Sequence, residues 1–106
     1  MNTINTIKLN DILADGLAID YTKARDISND IIKSNKEKGI EIVFDFEGIQ
    51  STISPFLREL LTPLIKYSIN YKIEGINGDY SEMLKRIEYS AKNSTINITS
   101  IKGIDE

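Results

Sequence analysis

Residues 40–57 have the sequence IEIVFDFEGIQSTISPFL, which carries the clearest structural signals of this 106-residue chain. Residues 40–46 are almost continuously apolar from Ile42 and rich in β-branched and aromatic side chains, a composition typical of a buried central strand. Ser54 and Pro55 form a helix-start signal, because Ser favours the N-cap and Pro favours the first helical position. We therefore predict a buried strand, a short loop and a helix with Ser54 as its N-cap.

The residues before this stretch predict two strands separated by a turn. Residues 3–9 carry β-branched side chains with partial alternation, which is typical of a strand at the rim of a sheet. Asp15 and Gly16 mark the turn, and residues 17–19 are apolar enough for a second short strand. We therefore expect a hairpin-like start to the fold.

A helix is predicted over residues 21–38, where the spacing of the apolar residues changes. The apolar residues that recur at helical spacing are Tyr21, Ala24, Ile27, Ile31 and Ile32. Asp20 is a suitable N-cap, and Gly39 can adopt the left-handed conformation that often follows a helix. Lysines cluster near the predicted C-terminal end, where positive charge suits the helix dipole.

The helix that follows Pro55 contains a second proline. Its apolar stripe consists of Phe56, Leu57, Leu60, Leu61, Leu64 and Ile65. Pro63 lies inside this stripe and has no amide hydrogen to donate, so we expect the helix to bend between residues 59 and 63.

Three further segments complete the predicted elements. Residues 71–76 alternate between apolar and polar side chains and predict a strand. Asp79 and Glu82 have the spacing of a capping box, which predicts the start of a helix. Residues 95–101, TINITSI, alternate regularly and predict a final strand.

The order of these elements predicts the fold class. Strands that alternate with helices in a short chain form parallel β-α-β units with right-handed connections, and the helices pack mainly against the sheet. The chain contains no internal repeat and no linker-like segment. We therefore predict a single α/β domain over residues 1–106.

The composition excludes several classes of site. The chain has no His and no Cys, which excludes Ser-His-Asp and Cys-His catalytic sites, zinc fingers and disulfides. The net charge of −3 argues against a nucleic-acid partner, because binding a phosphate backbone requires a basic surface. No segment approaches the roughly 20 apolar residues of a membrane span, and the N-terminus lacks a leader pattern. We expect a cytoplasmic protein with no membrane contact and no cofactor.

The loop between the predicted central strand and the next helix is the candidate functional site. Ligands of open α/β sheets bind at this edge, but Gly48 alone does not make a phosphate-binding glycine pattern. A phosphate added to the Ser54 hydroxyl would meet the positive end of the helix dipole and reverse the sign of the surface. The simpler interpretation is that Ser54 only caps the helix, which contributes about 1 kcal/mol.

The two carboxylates beside this loop are poor candidates for acid–base catalysis. Asp45 and Glu47 are two residues apart, so they would point to opposite faces of a continuing strand. We expect Asp45 to accept hydrogen bonds from loop amides at the end of the strand.

The central stretch resembles a known family. Residues 43–49, 54–56 and 59–61 are similar to the STAS-like family of unknown function, through a hydrophobic strand, Asp-Phe, Gly-hydrophobic, a Ser-rich turn and Phe. The similarity to STAS domains of bacterial anti-sigma factor antagonists is more distant. The order of elements agrees with these families over roughly residues 16–92.

The resemblance implies a four- to five-stranded mixed sheet with about three helices packed mainly on one face. It also implies a regulatory protein-protein interaction domain that is not an enzyme and that binds a histidine-kinase-type ATPase. The phospho-acceptor of the family falls on Ser54. The predicted partner-binding residues are Glu47, Gln50, Ser51, Thr52, Ser54 and Arg58.

Two other functional classes remain open. A small inhibitor or immunity-type protein that binds a toxin or nuclease would fit the acidic balance and the short chain. A small enzyme that uses only carboxylates and hydroxyls has little support in the sequence.

Overall fold

The chain forms an α/β fold in which helices and strands alternate. The computed structural model describes the backbone of residues 3–34 and 40–105, and the side chains of residues 4–13, 15–34 and 40–93. Its elements are β1 (Thr3–Lys8), α1 (Leu9–Ile12), β2 (Leu17–Ala18), α2 (Tyr21–Ser34), β3 (Ile40–Asp45), β4 (Ser51–Thr52), α3 (Ser54–Lys66), β5 (Tyr71–Glu74) and α4 (Ser81–Asp105). Short 3₁₀ turns at Ala14–Gly16 and Gly78–Tyr80 precede β2 and α4.

The described strands form two sheets, not the single mixed sheet that the resemblance implies. One sheet has the order β1-β3-β5, and the other consists of β2 and β4. All three pairings between described strands are parallel, which confirms the predicted β-α-β arrangement. In the larger sheet, Phe44 lies beside Ile7 of β1 on one side and Ile73 of β5 on the other.

The predicted hairpin-like start is wrong, because β2 pairs with β4 and not with β1. Asp15 and Gly16 both adopt positive φ, at 63° and 65°, and this turn leads the chain away from β1. The Gly16 carbonyl then accepts a hydrogen bond from the Gln50 amide at 2.7 Å. That contact brings Leu17 beside Ser51.

The three longer helices pack together on one face of the larger sheet. α3 contacts α2 on one side and α4 on the other. The main hydrophobic cluster joins buried residues of all three helices to Ile42 and Phe44 of β3. Val43 points to the opposite face of β3 and is buried without belonging to this cluster.

The predicted start of α2 is confirmed. The Thr22 amide donates a hydrogen bond to Oδ1 of Asp20 at 3.0 Å, so Asp20 caps the helix as expected. Hydrogen bonds from the Thr22 hydroxyl and from the Thr22 and Lys23 amides lower the pKa of the Asp20 carboxyl. The described helix runs to Ser34, and the predicted end near residues 36–39 lies outside the described residues.

Pro63 does not interrupt α3, which continues to Lys66. A proline at position 63 leaves the Glu59 carbonyl without its usual helical donor. Ser28 of α2 is fully buried, and its hydroxyl lies within hydrogen-bond reach of this carbonyl, at 3.3 Å, while it also donates to the Leu60 carbonyl. The hydroxyl has one proton and its shorter contact is with the Leu60 carbonyl, so the Glu59 carbonyl receives only the longer arm of a shared hydrogen bond from α2.

Replacing Ser28 with Ala is expected to lower the free energy of unfolding by about 0.5–1.5 kcal/mol, because the α3 backbone loses the hydrogen bond that the buried Ser28 hydroxyl donates to it. In a Pro63→Ala background the amide of residue 63 can donate to the Glu59 carbonyl. Ser28→Ala should then lower the free energy of unfolding by less. Urea denaturation of the two single variants and the double variant measures this coupling. Ser34→Ala, on the exposed end of α2, is the control. Equal costs in both backgrounds would contradict the assignment.

Two predictions about the C-terminal part of the chain are wrong. Asn77, not Asp79, is the capping residue, because its side chain accepts a hydrogen bond from the Asp79 amide at 2.9 Å ahead of the 3₁₀ turn. Residues 95–101 lie within α4 and do not form a strand. A helix that has already formed adds a backbone hydrogen bond with each further residue, which can override a local β-propensity.

Within the described ranges, no helix has both the length and the apolar composition needed to cross a membrane.

Candidate functional site

The candidate site is the β3–α3 corner, which we define as residues 45–58. The chain turns sharply at the end of β3, where the Ile49 amide donates to the Phe46 carbonyl at 2.9 Å. The Glu47 amide donates to Oδ1 of Asp45 at 2.9 Å. This confirms the predicted role of Asp45 as an acceptor for loop amides.

The end of β5 is hydrogen-bonded to the corner and packs against it. The Phe46 amide donates to the Glu74 carbonyl at 2.8 Å. Gly75 follows with a φ of 72°, and a Cβ atom at this position would lie 2.9 Å from the Glu47 amide nitrogen. A residue with a side chain would therefore displace the Asp45–Glu47 turn.

Thr52 anchors the second half of the corner from inside. It is buried, and its hydroxyl donates to the Ala18 carbonyl at 2.8 Å. Its amide lies 3.4 Å from the hydroxyl oxygen of Tyr80. Although the sequence places Thr52 among the partner-binding residues, its side chain faces the interior, because pairing of β4 with β2 turns it toward Ala18.

The start of α3 differs from the prediction by one residue. Ile53 has an extended backbone, with φ −130° and ψ 158°, and occupies the N-cap position without a side-chain cap. Its carbonyl accepts the Leu57 amide at 3.2 Å. Ser54 is therefore the first residue of the helix and not its N-cap, and its hydroxyl makes no capping hydrogen bond.

Ser54 lies in the wall of a cleft between α3 and α4, which we call the α3–α4 cleft. The cleft has a volume of about 400 Å³, and its lining residues are Ser54, Arg58, Met83, Arg86, Ile87 and Ser90. Ser54 is half-buried and Arg58 is exposed. The cleft thus combines two hydroxyls with two guanidinium groups from different helices, and none of its lining residues is acidic.

The two arginines of the cleft differ in their partners. Arg86 lies 3.8 Å from the Glu82 carboxylate in an exposed pair one helical turn apart, an arrangement that contributes little to stability. Arg58 has no ion-pair partner among the side chains that the structure describes. Sequence reasoning did not identify Arg86, because its position beside Ser54 depends on how α4 packs on α3.

The structure divides the other predicted site residues between two surfaces. Gln50 is exposed and lines a polar cleft of about 780 Å³ together with Asn10 and Asp15. Glu47 is exposed at the turn, and Ser51 is half-buried in β4. Only Ser54 and Arg58 of the predicted set share the α3–α4 cleft.

Metal ligation has no obvious place at the corner. Among the described side chains, no three acidic residues come together in a group that could hold a metal ion. The Asp45 carboxylate accepts a hydrogen bond from the Glu47 amide.

A hydrogen bond between Tyr71 and Glu88 attaches α4 to β5. The half-buried Tyr71 hydroxyl donates to the Glu88 carboxylate. Burial and this hydrogen bond raise the pKa of Tyr71 above its ordinary value. The neutral phenol is therefore the form that the folded chain favours.

We expect Tyr71 to make the stability of the chain fall at alkaline pH. Because its folded-state pKa exceeds the unfolded value of about 10, its contribution is complete below pH 10 and is lost as the pH rises further. The loss should stay below the roughly 1.4 kcal/mol per pH unit of full linkage, since the hydroxyl is only half-buried. When denaturant unfolding is measured between pH 8 and 11, the free energy of unfolding should fall less steeply with pH for Tyr71→Phe than for the wild type. Tyr89→Phe, at a 72% exposed position, should retain the wild-type slope, and a parallel slope for Tyr71→Phe would contradict the assignment.

Comparisons with protein-family models, with curated proteins and with solved structures find no match to this chain.

Proposed function

We propose that the chain is a non-catalytic, STAS-like regulatory domain that binds a protein partner through the β3–α3 corner, which includes the first turn of α3. The observation that carries the proposal is the corner itself, a turn on a hydrogen-bonded frame that presents exposed Glu47, Gln50 and Arg58. By the resemblance to the STAS-like family, the partner is a histidine-kinase-type ATPase in the cytoplasm.

The hydrogen bonds that hold the corner support a binding role. Backbone hydrogen bonds fix it to the end of β5 and to Gly16, and the Thr52 hydroxyl ties it to Ala18. A loop that is held in one conformation loses little conformational entropy when it binds. Exposed polar side chains on such a frame suit specific recognition by a protein surface.

Phosphorylation of Ser54 supplies the proposed switch. Its side chain is half-exposed, and it is not used for capping. A phosphate would add a charge of about −1.5 to −2 at the start of α3, where negative charge is favourable. The surface beside Arg58 would then change from basic to acidic, and a partner that recognises the basic form would dissociate.

The test first identifies the partner and then measures its affinity. A photo-crosslinking amino acid at position 50, within the corner, should capture a histidine-kinase-type ATPase in the producing cells. The same group at Tyr67, 66% exposed at the other end of α3, should not capture it. Ser54→Asp and Arg58→Glu should each weaken binding of the captured protein at least tenfold, about 1.4 kcal/mol.

Matched controls carry the same changes at the opposite end of α3. Ser68→Asp and Lys66→Glu alter exposed positions outside the corner and should leave the affinity unchanged. Equal binding by all four variants would contradict the proposal. A tight complex with a toxin or nuclease, with an affinity that the corner variants do not change, would instead support the inhibitor alternative.

A further inference from the structure

We infer that a phosphate carried by Ser54 is bound jointly by Arg58 and Arg86, so that phosphorylation links α3 to α4 across the α3–α4 cleft. The inference rests on the proposed function, because it specifies what the phosphorylated form of that site contacts. It adds Arg86, a residue that belongs neither to the corner nor to α3.

The spacing within α3 brings the first arginine to the phosphate. Arg58 follows Ser54 by four residues, so the two side chains lie one helical turn apart on the same face. Arg58 also has no carboxylate partner in the described part of the chain, and no existing ion pair must break before it binds. A phosphate and a guanidinium in this arrangement form short, charge-assisted hydrogen bonds.

The packing of α4 brings the second arginine. Arg86 lines the same cleft, and its side chain is 83% exposed, which leaves it free to change rotamer. Its present partner is Glu82, at 3.8 Å. A dianionic phosphate with three acceptor oxygens is a stronger partner than one exposed carboxylate, so Arg86 turns from Glu82 to the phosphate.

The modification itself requires a nucleoside triphosphate and a kinase, which the proposed ATPase partner supplies. The Ser54 oxygen forms a bond to the γ-phosphorus while the bond to the β-phosphate oxygen breaks. The nucleoside diphosphate leaves with that electron pair, and the hydroxyl proton passes to a kinase base. The product is a phosphoserine in a cleft whose lining contains two cations and no carboxylate.

The experiment uses the full chain with phosphoserine installed at position 54 during translation, without any partner. Phosphorus NMR should give a second phosphate pKa of about 5, compared with about 6 for an unperturbed phosphoserine. Thermal unfolding should shift upward by roughly 4 °C or more relative to the unmodified chain. Arg58→Gln with Arg86→Gln should remove both effects, and each single variant should be intermediate.

The control variant, Lys66→Gln with Lys85→Gln, removes the same two charges from exposed positions outside the cleft and should keep both effects. Three results would overturn the inference. The phosphate pKa could lie near 6, it could stay unchanged in the double arginine variant, or both double variants could lose the two effects equally. All the replaced side chains are exposed, and circular dichroism verifies folding. No partner is present in this experiment. A negative result would therefore refute binding of the phosphate by Arg58 and Arg86, but it would not contradict partner binding by the corner.

Discussion

Phe44→Ala should lower the free energy of unfolding by about 3–5 kcal/mol, a large share of the total stability of a domain of this size. Phe44 is fully buried at the centre of the larger sheet, and its ring centre lies 6.5 Å from that of Tyr71. Removing the ring leaves a cavity between the sheet and the helical layer. The midpoint of thermal unfolding should fall by roughly 12 °C or more.

Tyr89→Ala provides the comparison for this change. Tyr89 is an aromatic residue of similar size, but it is 72% exposed on α4. Its replacement should change the stability by no more than about 0.5 kcal/mol. If Phe44→Ala cost as little as Tyr89→Ala, then β3 could not be the central strand of the core.

Gly75→Ala should cost about 2 kcal/mol or more, because two separate penalties act at this position. Its φ of 72° lies in the left-handed region, where a residue with a Cβ atom is disfavoured by roughly 1–2 kcal/mol. The new methyl group would also lie 2.9 Å from the Glu47 amide nitrogen and 3.1 Å from Oδ1 of Asp45. Denaturant unfolding measures the cost, and amide NMR shifts at the corner should report the displacement.

Gly78→Ala is the matched control for Gly75→Ala. No heavy atom lies within 4 Å of a Cβ atom placed on Gly78, so the change should be close to neutral. The Gly75 variant should also bind the partner more weakly, because the displaced turn includes Glu47. Similar stabilities for both glycine variants, with unshifted corner amides, would show that β5 does not support the corner.

Local patterns predicted much of the secondary structure, because their causes lie within a few residues. The apolar run of β3 and the Asp20 cap of α2 both appear where the sequence predicts them. The acceptor role of Asp45 was also predictable, since its partner is two residues away. These features depend on backbone geometry that neighbouring residues determine.

The remaining features depend on contacts between distant parts of the chain. Pairing of β2 with β4 split the sheet and turned Thr52 inward, which no local pattern indicates. The preference of Ser for the N-cap was overridden at the start of α3, where the extended backbone of Ile53 takes that position. Arg86 joins Ser54 only because α4 packs beside α3.

The contact between Ser28 and the α3 backbone constrains how the sequence of this protein can evolve. If Ser28 mutates first, the Glu59 carbonyl loses its shared hydrogen bond, and the intermediate should be less stable than the starting sequence. If Pro63 mutates first, the new amide takes over, and position 28 is then released to vary. Mutational paths through this pair should therefore begin at position 63, and sequences that keep the proline should also keep a small hydroxyl residue opposite it.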